Sequence, residues 1–508
     1  MRMLLLAAAV SLACSHAAPR AASPVRIEEA SVAELQAAMA SGALTSRALV
    51  QHYLDRIALY DQAGPKLNAF ILINPRALEE ADRLDRERAD KGSGGPLQGI
   101  PLVLKDNMNT KDMPTTGGSV AFAGAQPQDD AFIVARLREA GAVLLGKTNL
   151  HELARAGTTV SSLQGQTLNP YDLTRTPGGS SGGTAVAVAT NMAAVGMGSD
   201  TVNSIRSPAS ACDLVGLRPS RGLVSRSGII PAALTQDMAG PIARTVADAA
   251  TILEVIQGYD EKDATTEAVR GKRLPRYAAS LDKDGLRGAR LGILRSFFGS
   301  RPEHAEVNRA MEQAIATMHG LGAEAVELDV PLDVDQLINT MDVQKWESRT
   351  QIDAWLAALG PGAPAIHTFE AWVASGKYDK TLEKGLKAAL PYEHPESDPE
   401  YLQRIGPRKE ALQKQLLAIF ADKTLDAIVY PHQKRLVVPI GESQVERNGF
   451  LASITGFPAI TIPAGFSSGG VPVGIELLGA PFAEASLIKL AYSYEQGTHN
   501  RLPPKTAP

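Results

Sequence analysis

Residues 175–206, RTPGGSSGGTAVAVATNMAAVGMGSDTVNSIR, constrain the fold more than any other part of the chain. Pro177, Gly178, Gly179, Gly182 and Gly183 surround the serine pair Ser180 and Ser181, and such residues permit tight backbone conformations that bulkier ones resist. Small residues, apolar all round, predict a buried helix over 183–191. A short strand is expected over 193–198, and Ser204 then stands alone in a polar turn. Ser204 comes back near the start of the helix only if the strand and its loop fold back.

Taken alone, the serine pair is open to several readings. It fits G-x-S-x-G in two registers, centred on Ser180 or Ser181. A nucleophile elbow of the α/β-hydrolase kind needs an apolar strand immediately before the serine. Residues 169–177 are polar and interrupted by prolines instead. A phosphate-binding loop would need Gly-Lys-Ser/Thr after the glycines, and none follows. The plainest alternative is a glycine-rich turn that feeds a helix. Lys105 ends an apolar run, 99–104, that reads as a buried strand. It is either a surface or paired lysine, or a desolvated amine whose lowered pKa lets it accept a proton.

Five blocks occur in one order: GIPLVLKDN (99–107), GKTNLHE (146–152), PGGSSGG (177–183), GSDTVNSIR (198–206) and VGLRPSRGLVSRSGIIP (215–231). Together they resemble the amidase signature family, over roughly residues 31 to 496, and within it the peptide-amidase and broad amidase branch. The resemblance implies a single large α/β/α domain, with a mixed central sheet covered by helices on both faces. It implies an amidohydrolase that needs no cofactor and no metal. Ser204 is then the nucleophile, Ser180 the proton relay and Lys105 the final base, with the Gly179–Ser180 peptide bond cis. Backbone N–H groups of Thr201, Val202, Asn203 and Ser204 would form the oxyanion hole. Ser181, Asn107, Thr116, Gln236 and Asp237 are expected to support the site or border the substrate, with a turn-stabilising role equally open for the last two. Val202 and Asn203 stand where the family often has glycine. They are expected to crowd the site, and a valine disfavours positive φ. The alternatives are an esterase using the same site, a noncatalytic binding descendant and an amidotransferase A-type subunit.

The rest of the chain sets limits. Its 508 residues are 44% apolar, ample for a core, and the net charge of −4 gives no global basic field for nucleic acid. Two cysteines, Cys14 and Cys212, leave no disulfide framework within a mature chain. Residues 1–17 read as an export signal. Arg2 precedes an apolar stretch over 3–12 that is too short to anchor in a bilayer, and small residues allow cleavage after Ala17. Cleavage before Cys14, as in a bacterial lipoprotein, is the alternative, and it is the only route here to a membrane. The catalytic domain is expected over 24–508. Helices are expected at 31–39, after Thr45, from Asn74, at 129–140, 303–319 and 482–496. Strands are expected at 142–145, 290–294, 323–328, 425–430, 458–463 and 471–478, with Gly146 turning the chain. This alternation favours an α/β fold with a layered sheet. Residues 330–435 read as a variable, mainly helical specificity region. All three tryptophans fall there, either as core or as lining of a substrate entrance. His151 lacks a second histidine at helical ligand spacing and reads as structural. Asp200, Arg206 and Arg218 read as structural ion partners. The substrate would be a small-molecule or peptide amide.

Overall fold

A computed structural model describes residues 25–507; the expected export signal and Cys14 lie outside the described residues. Among the described residues, thirteen strands occur in chain order: β1 (Phe70–Ile73), β2 (Pro101–Lys105), β3 (Val143–Thr148), β4 (Val160–Ser161), β5 (Gly165–Gln166), β6 (Val195–Asp200), β7 (Val215–Arg218), β8 (Met238–Ala243), β9 (Arg290–Leu294), β10 (Glu324–Leu328), β11 (Ala427–Pro431), β12 (Ala459–Phe466) and β13 (Pro472–Leu478). Eleven of them make one sheet in the order β1-β3-β2-β6-β8-β7-β12-β13-β11-β9-β10, while β4 and β5 pair with each other. The sheet is mixed. β3, β2 and β6 run parallel, as do β11, β9 and β10, and the strands between these two groups pair antiparallel.

Sequence pattern explains the layering. Every residue of β2, β3, β6, β7, β8, β11 and β13 is buried, as continuous apolar or small runs require when both faces are covered. The edge strand β10 is largely exposed, and charge blunts it: Glu324 pairs with Arg290 and Glu327 with Arg295. Helix Val32–Ala40 starts at a capping box of Ser31 and Glu34, and Thr45 caps helix Ser46–Tyr60, whose Leu49, Tyr53 and Ile57 face the core. Gly182–Ala189 is a wholly buried helix, as its small residues predict.

Gly146 differs from expectation. It does not turn the chain; β3 runs through it to Thr148. A Cβ there would lie 2.3 Å from the Leu72 carbonyl oxygen on β1, so the glycine permits close strand contact rather than a bend. The helical stretch holds Val334–Met341, Gln344–Ala358, Phe369–Ser375, Glu383–Ala389, Pro399–Ile405 and Pro407–Lys423. Its tryptophans are core. Trp355 and Trp372 pack around Phe122, and Trp346 packs against Tyr392 and Tyr401. Trp346 Nε1 donates to Asp398 at 2.9 Å, giving the indole its polar partner.

Candidate active site

Lys105 is the last residue of β2, and the buried run Pro101–Leu104 carries it into the interior, where it is fully buried. Its Nζ lies 2.7 Å from Ser180 Oγ, 2.8 Å from Ser199 Oγ and 3.2 Å from the Ser199 carbonyl oxygen. Asn107 Nδ2 donates to the same Ser199 hydroxyl at 2.9 Å. Burial brings the Lys105 amine down to about 7, against the smaller opposing pull of Asp200 and Asp237. A charged ammonium without a contacting carboxylate is costly in such a place, so the neutral amine is favoured.

Ser180 follows a cis peptide bond from Gly179. Its carbonyl accepts from His151 N at 3.0 Å, and Thr159 Oγ1 bonds both the Gly178 carbonyl (2.8 Å) and Gly182 N (3.1 Å). His151 is structural: Nε2 meets Thr381 Oγ1 at 3.0 Å, Nδ1 meets Thr158, and burial lowers the imidazole to about 4. Among the described residues no group of three or more His, Cys, Asp or Glu could hold a metal.

The 201–204 turn is tied to the protein on one side only. All four of its carbonyls accept hydrogen bonds: Thr201 from Gln236 Nε2 (3.2 Å), Val202 from Ser453 Oγ (2.6 Å) and Arg206, Asn203 from Ser207 N (2.7 Å), and Ser204 from Ser181 N (3.2 Å). Its four amides, among the described residues, donate to no protein acceptor. Buried amides are normally paired, so this set is available to an oxygen that arrives with a ligand. The frame behind the turn is ionic. Asp200 takes Arg218 at 2.9 Å and Arg206 at 3.2 Å, and Arg206 also pairs with Glu476. Burial alone would raise the Asp200 carboxyl, yet the two guanidiniums hold it well below the usual carboxylate range.

The Val202 and Asn203 side chains do not crowd the site as expected. Val202 packs into an apolar cluster with Phe450 and Ile454. Asn203 Nδ2 reaches His432 Nε2 at 3.4 Å, and His432 Nδ1 meets Glu476 at 2.5 Å. Gly449 makes room, since a Cβ there would lie 2.8 Å from the Asn203 Cβ. Neither residue takes a positive φ, so the valine carries no backbone strain.

Gln236 and Asp237 both bond this turn directly, at Thr201. Thr201 Oγ1 donates to Asp237 Oδ1 at 2.6 Å, and Asp237 Oδ2 accepts from the amides of Ala232 and Ala233. Gln236 Oε1 accepts from Val343 N at 2.9 Å, joining the turn to the helical stretch. Thr116 does not reach Lys105. Its hydroxyl and amide both hold the Asp106 carboxylate, at 2.5 and 3.1 Å. Ser181 Oγ donates to the Ser199 carbonyl at 3.2 Å. The structure thus joins Lys105 to Ser180 directly and Ser181 to Ser204 through the backbone. Among the described residues no hydrogen bond links the Ser180 and Ser204 hydroxyls; catalytic contacts of this kind often tighten only with substrate bound.

Sequence reading missed Lys147 and Ser199, although both lie inside the five blocks, and it missed Arg155, His432 and Glu476. Ser199 is visible only once β6 is set beside β2.

A buried amine beside a serine, next to a turn of unspent amides, has the parts of a serine-based acyl-transfer site. The Amidase family model matches residues 48–488, and the chain belongs to that family. The native peptide amidase of Stenotrophomonas maltophilia is similar at 38% identity and a TM-score of 0.86, covering 96% of this chain and 100% of that one. A probable amidase of Arabidopsis thaliana is 35% identical, covering 99% of this chain and 97% of its own length. The A component of a glutamyl-tRNA(Gln) amidotransferase from Prochlorococcus marinus is 33% identical, covering 92% and 97%. Family and fold together support an amidohydrolase acting on amide C–N bonds.

Proposed function

We propose that the chain hydrolyses carboxamides through an acyl-Ser204 intermediate, and that C-terminal peptide amides are its substrate class. The contact between Lys105 Nζ and Ser180 Oγ, 2.7 Å in a fully buried setting, carries the mechanism. Neutral Lys105 takes the Ser180 proton while Ser180 takes that of Ser204, and Ser204 Oγ attacks the amide carbon. The free amides of residues 201–204 receive the developing oxyanion. The proton then returns along the same route to the leaving nitrogen as the C–N bond breaks, releasing ammonia or an amine. Water attacks the ester while the relay carries its proton to Lys105; that proton then returns through Ser180 to Ser204 Oγ as the ester C–O bond breaks, freeing the acid and restoring the neutral amine. The peptide assignment is supported by similarity to a peptide amidase across nearly the full chain.

The amidotransferase reading is motivated by the 33% identical relative. One panel separates these readings: a peptide amide, an aryl amide and matched esters, with Ser204→Ala beside the parent protein. Ammonia release from the peptide amide is expected, falling by roughly 10⁴-fold or more in the variant. Turnover unchanged in Ser204→Ala would sink the nucleophile assignment. Ester-only turnover would favour an esterase, and silence throughout would favour a binding descendant or an amidotransferase component that needs its partners. We also propose export, on the strength of the apolar stretch at 3–12 behind Arg2. Fractionation should find the chain outside the cytoplasm, with palmitate label at Cys14 only if the lipoprotein cleavage applies; a wholly cytoplasmic chain rejects export.

A further inference from the structure

Arg155 has an unused hydrogen-bonding edge and belongs to the loop that packs on Ser180. Its Nη1 bonds Ser348 Oγ on helix Gln344–Ala358. Its Nε and Nη2 are shielded from solvent and have no partner among the described residues. Those two N–H groups form one side of the guanidinium fork, the side that presents two parallel donors. Leaving such donors dry and unpaired costs free energy unless a ligand fills them.

Several contacts locate this edge. Arg155 belongs to the 151–158 loop, which lies over Ser180: His151 N bonds the Ser180 carbonyl, and the Gly157 carbonyl carbon would sit 2.8 Å from a Cβ on Gly179. The preceding Ala154 lines a small cavity with Asn107, Ser199, Thr201 and Asp237. Leu153 and Ala154 take positive φ values of 48° and 59°, the local bend from which Arg155 follows. The carboxylates whose charge reaches the guanidinium are Asp237, which holds the Thr201 turn, and Asp342, which accepts from Gln236. The fork therefore stands between the Ser180 loop, the oxyanion turn and the helical stretch.

We propose that Arg155 recognises the acyl side of the substrate, by donating both free N–H groups to the carbonyl oxygen of the peptide bond preceding the terminal amide. This rests on the amide-hydrolase reading and deepens it. Asp237 and Asp342 act on the guanidinium at longer range, and their negative charge would repel a third carboxylate, so a neutral carbonyl fits better. The site then favours N-acylated amino-acid amides over simple alkyl amides.

Binding to the Ser204→Ala variant, read by calorimetry, tests this without relying on turnover. The ligands are N-acetylphenylalaninamide and 3-phenylpropanamide, which keeps the ring and the amide but lacks the acetamido carbonyl. Adding Arg155→Met should weaken the first by roughly 10- to 100-fold, the usual range for a charge-assisted pair, and the second by no more than about twofold. Arg155→Lys should recover little, because a point charge does not reproduce the fork. Equal weakening of both ligands, no weakening of either, or no binding of either by Ser204→Ala would overturn the proposal. So would tighter binding of succinamate that depends on Arg155, which would make the fork a carboxylate site. Normal discrimination by these variants, with no turnover by the parent protein, would reject the hydrolase reading and leave the Arg155 subsite standing.

Discussion

Two lysines lie side by side in the sheet and are put to different ends. Lys105 ends β2 and Lys147 lies one residue from the end of β3, on parallel neighbouring strands where Lys147 stands opposite Leu104. Both are fully buried, and burial lowers both amines. Lys147 is saturated: it meets Asp106 at 3.3 Å, the Met108 carbonyl at 2.8 Å and Thr115 Oγ1 at 2.9 Å. Among the described residues Lys105 Nζ hydrogen-bonds only Ser180 and Ser199, with its influential carboxylates acting at longer range. Burial alone therefore does not make a base. What separates the pair is the contacting carboxylate that one has and the other lacks, because such a partner holds the proton on the amine.

The largest expected break in this comparison is Lys105→Met. Amide turnover should fall by roughly 10⁴-fold, as when a proton-relay member is removed, while thermal unfolding stays close to that of the parent. Retained turnover would show that another group takes the Ser180 proton. Lys147→Met should do the opposite. It strands Asp106 and should cost about 3–5 kcal/mol of stability in denaturant melts, and a second change, Asp106→Asn, should restore much of that loss. A stable but inactive Lys147→Met would erase the distinction.

The smallest and sharpest test is pH. In the proposed mechanism Lys105 works as a neutral amine, so kcat/KM should climb about tenfold per unit on approach to pH 7 and level above it. Stability has the same sign: between about 7 and the ordinary 10.5, the unfolded chain holds a proton that the folded one has released, so the contribution of Lys105 to folding improves as pH rises through that window. A profile flat from pH 5.5 to 8.5 would place the working base elsewhere.

Lys105, Ser180 and Ser204 stood out in the sequence because each lies at an abrupt change of local character: the end of an apolar run, a cluster of glycines, a polar turn. The strands were legible wherever an apolar run was bounded by turn residues. The failures share a cause. Gly146 looked like a turn because the close approach of β1 depends on a strand distant in the chain. Lys147 becomes a partner of Asp106, and Ser199 a partner of Lys105, only through the register of β2 with β3 and β6. The Val202 and Asn203 side chains looked like obstacles because the cluster around Phe450 and the His432–Glu476 pair, which receive them, come from more than 200 residues later in the chain. Periodicity reports which face is buried, not which neighbour buries it.

The glutamine that spans Thr201 and Val343 has a consequence for how this enzyme can diversify. One side chain reads a carbonyl of the oxyanion turn with its amide nitrogen and a backbone amide of the helical stretch with its oxygen. A lineage that reshapes the backbone at 342–343 therefore also pulls on the turn proposed to meet the oxyanion. Selection for a new substrate is then selection on rate as well. Changes in the helical stretch that make no contact with Gln236 leave that link to the turn intact.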